Sequence, residues 1–435
     1  MSLQVPVLVR APIAEGALDA LSADLEVLRC DPPGNALLPF GKLAGTHFAR
    51  FVVLPAIADP ADPVPSSLVY AASVDGTVEQ HLRELASVSG AGLDRIFGHC
   101  TGYPPEDDRS KRTRIAYLRR HLAPTQAFYV NTVGRTVDQV RSEAMLRDRI
   151  EDFLDEQEHV PGWRNRAPEA VASAIRSFVA GSPDLRWALR PAPRPSLPWR
   201  LRERLRFSAL IGGAVLLLPV LLPLAIVVLL VLRAAEWREA RRAEVSHRLD
   251  SRTELALLED LAAQNQFTAA GFVKPGRLRA IVVRVTLWLV QAAARHVYTS
   301  GDLGTVRPLG LHGVNTIHFA RWVLLDDGRR ALFMSNYDGS FESYMDDFIN
   351  KVAWGLNGVF THGIGYPPTR FLVFDGARDE QAFKAFLRER QLPTAVWYSA
   401  YPHLTAENLA NNAAIRRGLS QDLRGAELVQ WLRRF

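Results

Sequence analysis

From Phe207 to Leu232 the chain reads FSALIGGAVLLLPVLLPLAIVVLLVL, with no charge inside the run and arginines crowding both ends. A helix rises ~1.5 Å per residue, so this stretch is long enough to cross a bilayer core of ~30 Å. Pro219 and Pro223 fall at its middle, where each removes a helix hydrogen bond and bends the axis. The run is therefore one kinked span, a short hairpin that enters one leaflet and returns, or an unusually long buried core helix.

The flanks bear on that choice. Arg186, Arg190, Arg194, Arg200, Arg202, Arg204 and Arg206 precede the run, and Arg233, Arg238, Arg241, Arg242 and Arg248 follow it. A single span keeps its basic flank on the cytoplasmic side, yet the imbalance here is mild. Arg202, Arg204, Arg206 and Arg233 are the expected contacts with anionic lipid headgroups. The net charge of +6 resides largely in these arms, so membrane lipids explain it and nucleic acid does not. Only Cys30 and Cys100 are present, without a CxxC, and the N-terminus has no secretory pattern. Both soluble parts are expected to face the cytoplasm.

On either side of the run the chain repeats itself. Asp75 to Pro105 aligns without a gap to Asp338 to Pro368, sharing Asp-Gly, Gly-Leu, Phe97 with Phe360, His99 with His362, and Gly-Tyr-Pro-Pro. Upstream, His47-Phe48-Ala49-Arg50 recurs as His318-Phe319-Ala320-Arg321; downstream, Pro124-Thr125 recurs as Pro393-Thr394. Each copy reads strand, helix, strand, strand, helix, strand, the ferredoxin-like split unit. In the second copy RFLVF reads as an additional strand and Asp379 to Arg390 as an additional helix. Along Phe341 to Phe360, Phe341, Tyr344, Met345, Phe348, Ile349, Val352, Leu356 and Val359 form one apolar face, ready to cover a sheet. The expected fold is α+β: two ferredoxin-like repeats packed as a pseudo-dimeric α/β barrel with an inserted membrane segment.

The expected boundaries are a first repeat at 1–150, a helical and Pro/Arg-rich linker at 151–206, the membrane segment at 207–232, a charged helical linker at 233–260 and a second repeat at 261–435. Two copies that pack on each other must lie on one side of a bilayer, which favours the hairpin over the single span. The segment Leu278 to Val297 is apolar but broken by Arg279, Arg284 and Arg295, as in a helix at the headgroups or one packed in a domain.

Several residues could carry chemistry. Asp75 and Asp338 each open a strand-to-helix turn, and Asp338 could equally stand at a barrel mouth as an acid–base group. Arg321 lies between Phe319 and Val323 on one strand face, so a carboxylate such as Asp338 or a bound anion is expected beside it. With His318 these form the candidate catalytic set. Tyr337, His362, Tyr398, His403 and Asn411 are candidate ligand contacts, and His312 occurs only in the second copy. Thr405 reads as an N-cap with Asn408 three residues on. No HExxH, P-loop, GxGxxG or GxSxG is present, and no metal-ligand spacing is signalled.

The phrases NTIHFARWVLL, SNYDGSFESYMDDF, GIGYPPTR and PTAVWYSAYP resemble those of an uncharacterised family of bacterial membrane-associated proteins. More distantly, the tandem layout is similar to the dimeric α/β barrel superfamily, which includes the dye-decolourising haem peroxidases. That resemblance implies a haem cofactor, a distal aspartate in a GxxDG turn and an assisting arginine, matched here by Asp338 and Arg321. Ser335 stands where the first glycine of that turn would be, and no histidine matches the iron ligand. The implied function is a membrane-associated oxidoreductase acting on a lipophilic or anionic small molecule. The other reading is a non-catalytic membrane-surface scaffold or lipid-binding protein.

Overall fold

The computed structural model describes residues 3–57, 63–192, 196–240, 262–297 and 316–435. The charged helical linker predicted to Asp260 lies outside them from residue 241 onward, as do Arg194 and His312.

The first part of the chain forms β1 (Gln4–Pro12), α1 (Leu18–Cys30), β2 (Thr46–Leu54), β3 (Ser67–Asp75), α2 (Val78–Val88), α3 (Gly90–Phe97), α4 (Lys111–Arg120) and β4 (Ala127–Val130). Helices α5 (Val137–Glu158) and α6 (Pro168–Gly181) then lead to α7 (Leu197–Ala240), which contains the apolar run. The second part forms β5 (Gln264–Phe272), α8 (Arg277–His296), β6 (Ile317–Leu325), β7 (Arg330–Asp338) and α9 (Phe341–Phe360). A small hairpin, β8 (Thr369–Arg370) and β9 (Phe374–Asp375), precedes α10 (Glu380–Arg390), β10 (Thr394–Ser399), α11 (Ala406–Leu419) and α12 (Gly425–Leu432). The expected additional strand RFLVF is thus the turn of a hairpin, because Phe371 and Leu372 adopt φ of 53° and 64° and cannot continue a ladder.

Two antiparallel sheets result, in the orders β1-β3-β2-β10 and β5-β7-β6-β4. In a split unit that closes on itself the fourth strand lies beside the first. Here each half lends its last strand to the other half's sheet, β10 beside β2 and β4 beside β6. Two prolines set the crossing. Leu122 bridges to Val9 of β1, and Gln391 to Ala269 of β5, so each final strand begins beside its own half's first strand. Pro124 and Pro393 follow directly, offer no N–H to that ladder, and the chain passes to the opposite sheet.

The inner faces of the sheets meet in an apolar layer that includes Leu8, Val52, Leu54 and Val69 from one side and Val323, Leu325, Leu332 and Met334 from the other. Helices cover the outer faces. Leu82, Leu85, Leu93, Ile96 and Phe97 pack on the first sheet, while Phe341, Tyr344, Met345 and Phe348 pack on the second, along the predicted face of α9. The region expected as a linker is largely built in, since Ile175 and Val179 of α6 share a core with Ile415, Leu419 and Trp431 of α11 and α12.

Helix α7 is the exception to this packing. Every residue from Ala214 to Val227 is exposed, Leu216 at 79%. Its two ends are nonetheless fastened. Glu203 is buried and pairs with Arg295 at the end of α8 at 2.7 Å and with Arg206 at 3.0 Å. Glu236 is buried at the β8–β9 hairpin, accepting from Thr369 Oγ1 at 2.6 Å and from the Phe371 and Leu372 amides at 3.1 and 3.0 Å. Arg233 adds a 3.3 Å bond to the same carboxylate.

Candidate functional site

The residues that the structure gathers most closely are two histidine–aspartate pairs between the sheets. Strand β2 carries an irregularity between Thr46 and Phe48, and β6 carries one between Ile317 and Phe319. The residue enclosed is His47 in one and His318 in the other. A bulge re-aims its side chain, and each histidine meets the aspartate that ends the neighbouring strand. His47 Nε2 lies 3.1 Å from Asp75 Oδ1, and His318 Nε2 lies 2.7 Å from Asp338 Oδ1.

Each aspartate has a second task. Asp75 Oδ2 accepts from the Val137 amide at 2.9 Å, and Asp338 Oδ2 accepts from the Ala406 amide at 2.7 Å. These are the first residues of α5 and α11, whose caps Thr136 and Thr405 take the amides of Gln139 and Asn408. Asp338 therefore ties a bulge to the N-terminus of the helix that follows the exchanged strand, where a carboxylate is favoured by the orphan amides. The turn that Asp338 opens is capped separately by Ser340.

Aromatic rings fill the space between the pairs. Tyr401 OH lies 2.8 Å from His47 Nδ1, the Phe48 ring sits 5.5 Å from both His318 and Phe319, and His47 sits 5.3 Å from Phe319. Burial, with Asp75 near, holds the Tyr401 phenol well above its ordinary range, so it is no proton source at neutral pH. His47, His318 and Tyr401 are all at most 5% exposed. Tyr401–His47–Asp75 and His318–Asp338 are thus two separate hydrogen-bonded sets, both turned inward and packed against rings.

Arg321 does not meet Asp338. Its guanidinium crosses to the first sheet, donating to the carbonyls of Val7 and Ala72 at 2.8 and 2.9 Å and to Ser73 Oγ at 2.7 Å. Arg50 crosses the other way, to the carbonyls of Phe267 and Ser335, each at 2.9 Å, to Thr268 Oγ1 at 3.0 Å and to Asn336 Oδ1. Each guanidinium also faces a ring on an exchanged strand, Trp397 for Arg50 at 4.9 Å and Phe128 for Arg321 at 5.5 Å. Burial, with Arg321 near, pulls Arg50 down to about 9, and burial pulls Arg321 down to about 10, so both stay charged at neutral pH. The expectation of a carboxylate or anion on Arg321 is corrected. Main-chain carbonyls satisfy the charge because their dipoles converge from two strands.

The other predicted contacts do not converge. Tyr337 stacks on Tyr344 at 4.3 Å inside the second core, and Tyr398 stacks on Phe40 at 5.3 Å inside the first. His362 is buried and His403 is exposed. Asn411 holds the C-terminus, bonding the carbonyl and guanidinium of Arg434, both at 3.0 Å. Sequence reasoning missed His47, Tyr401 and Arg50 as partners in these networks; the repeated HFAR phrase was the signal for His47 and Arg50.

Cavities are small. One of about 70 Å³ opens beside the start of α7, lined by Trp199, Arg200, Arg204, Gln291 and Arg295. An apolar one of about 50 Å³ lies under α8, between Leu287, Trp322 and Phe386. Small-molecule sites usually enclose ~300 Å³ or more. No family model, curated protein or solved structure matches the chain. The residues between the sheets do not fit a haem. His318 Nε2 faces Asp338, both nitrogens of His47 have partners, and the rings of Phe48, Phe319 and Tyr401 occupy the space at contact distance.

Proposed function

We propose that this protein is a non-catalytic membrane-surface scaffold, held by an apolar helix that lies in one leaflet with both of its ends on the same side of the bilayer. The observation that carries this reading is the burial of Glu203 and Glu236 against one folded body, with the apolar stretch between them exposed. Exposed leucine and valine on this scale have no place in water. Helix α7 runs unbroken through Pro219 and Pro223, in place of the expected hairpin. A single crossing would put the two glutamates on opposite sides of the membrane and tear one of them from its partners.

The scaffold reading is favoured over the oxidoreductase reading because the candidate catalytic groups are turned inward and satisfied by protein. A duplicated ferredoxin-like unit, closed into a pseudo-dimeric barrel by exchange of final strands, is the body we infer. Support for it comes from the matching sheet orders, from Pro124 and Pro393, and from the paired roles of Arg50 with Arg321 and Asp75 with Asp338. We infer from the arginine-rich arms on both sides of the apolar run that the body lies on the cytoplasmic side.

The test is flotation with vesicles of phosphatidylcholine and phosphatidylglycerol. The full chain is expected to float, and a variant with Leu217, Leu221, Leu224 and Val228 replaced by glutamate is expected to stay behind, whereas Arg321→Lys still floats if soluble. Flotation of the glutamate variant as complete as that of the unaltered chain would refute the anchor.

A further inference from the structure

Helix α8 is apolar on two sides. Val283, Leu287 and Ala294 are buried against the second sheet, while Ile281, Val285, Trp288 and Leu289 point outward, each at least half exposed. Their spacing of four, three and one residues makes a single stripe along the helix. A surface helix in water shows polar residues there. On α9, which packs beside α8, Trp354 is 56% exposed, and Phe374 of the hairpin is 50% exposed.

This face belongs to the same layer that holds both ends of α7. Glu203 is fixed to Arg295 in the last turn of α8, and Glu236 is fixed to the hairpin beside the end of α9. The charge is one-sided as well. Helix α8 carries Arg277, Arg284 and Arg295 on exposed positions and contains no acidic residue. An apolar stripe with tryptophan and flanking arginine is what an interfacial helix presents to anionic lipid.

We propose that the outer face of α8, continued by Trp354 and Phe374, lies on the leaflet that α7 enters, so that the body is docked flat through a second, independent lipid contact. Trp288 and Trp354 sit at the boundary between headgroups and acyl chains, and Arg277 and Arg284 meet lipid phosphates. The proposal rests on the anchor reading of α7. It commits the stripe to lipid, rather than to a second copy of the chain or to α7 folded back, because the stripe is exposed in the layer that holds both ends of the exposed apolar helix.

Spin labels test it on the full chain in vesicles of phosphatidylcholine and phosphatidylglycerol. In a Cys30→Ser background, single cysteines are introduced by Leu289→Cys, Leu222→Cys and, as a water-facing control on α1, Leu18→Cys; Cys100 is buried. At Leu222 and Leu289 oxygen is expected to relax the label more than a polar nickel complex does, the reverse of the order at Leu18. Immersion at Leu222 with nickel access at Leu289 overturns the docking face and leaves the anchor standing. Shielding from both reagents at Leu289 also overturns it, since protein then covers the stripe. Nickel access at Leu222 overturns the anchor and the docking face together.

Discussion

Glu203 and Glu236, at opposite ends of one apolar helix, are both buried against the same folded body. Glu236 does more than close a contact. Its two oxygens hold the amides of Phe371 and Leu372, residues forced into the left-handed region at the tip of the hairpin. Such conformations cost about 1–3 kcal/mol each and persist only where surroundings impose them.

Glu236→Ala is therefore expected to release this turn. Hydrogen exchange of the amides of Phe371 and Leu372 should rise at least tenfold, with β1 to β3 unaffected. Unchanged protection would mean that the hairpin holds itself.

The arginine braces are expected to carry stability rather than chemistry. Arg321→Met removes the bonds to the Val7 and Ala72 carbonyls and to Ser73 Oγ together, and the loss is expected to reach about 3 kcal/mol or more. Arg321→Lys should also destabilise, because one ammonium cannot reproduce a planar fork. Denaturant titration in micelles measures both.

Asp338→Ala removes a bond to His318 and the acceptor of the Ala406 amide at the start of α11 together, and is expected to cost about 2–4 kcal/mol. Asp338→Asn keeps an acceptor oxygen and should lose less. Equal losses in the two variants would show that charge, not geometry, is what the site requires.

His81 gives a pH signature. It is buried beneath Tyr70, with its Nε2 2.8 Å from the hydroxyl, and burial pulls the ring down to about 4. Between the ordinary value of 6.5 and about 4 the unfolded chain binds the proton and the folded one does not, so stability falls as pH falls through this window. The contribution lost is of order 3 kcal/mol at pH 4, and none of it is lost above pH 7. NMR titration is expected to show the His81 ring neutral at pH 5.5.

Helices were legible where they bury one face and show its period, as along Phe341 to Leu356, whereas strands such as β2 and β3 are buried on both faces and were legible as short apolar runs between turns. The cap at Thr405 was legible too, and Asn408 completes its capping box. What the sequence hid was the route of β4 and β10. Pro124 and Pro393 mark where each ladder must stop, but a proline does not say which strand comes next. The aim of His318 was hidden as well, since a one-residue bulge breaks the alternation from which side-chain direction is read. Arg321 announced a need for partners; main-chain carbonyls supplied them, and carbonyls leave no trace in a sequence.

The central claim is that both ends of α7 lie on one side of the membrane. Single cysteines introduced by Leu205→Cys and Trp237→Cys in a Cys30→Ser background, probed with a membrane-impermeant maleimide on sealed inverted and right-side-out vesicles, test it directly. Both positions are expected to react in inverted vesicles and to be protected in right-side-out ones. Reaction of Leu205→Cys from one side and Trp237→Cys from the other would establish a single crossing and contradict the account.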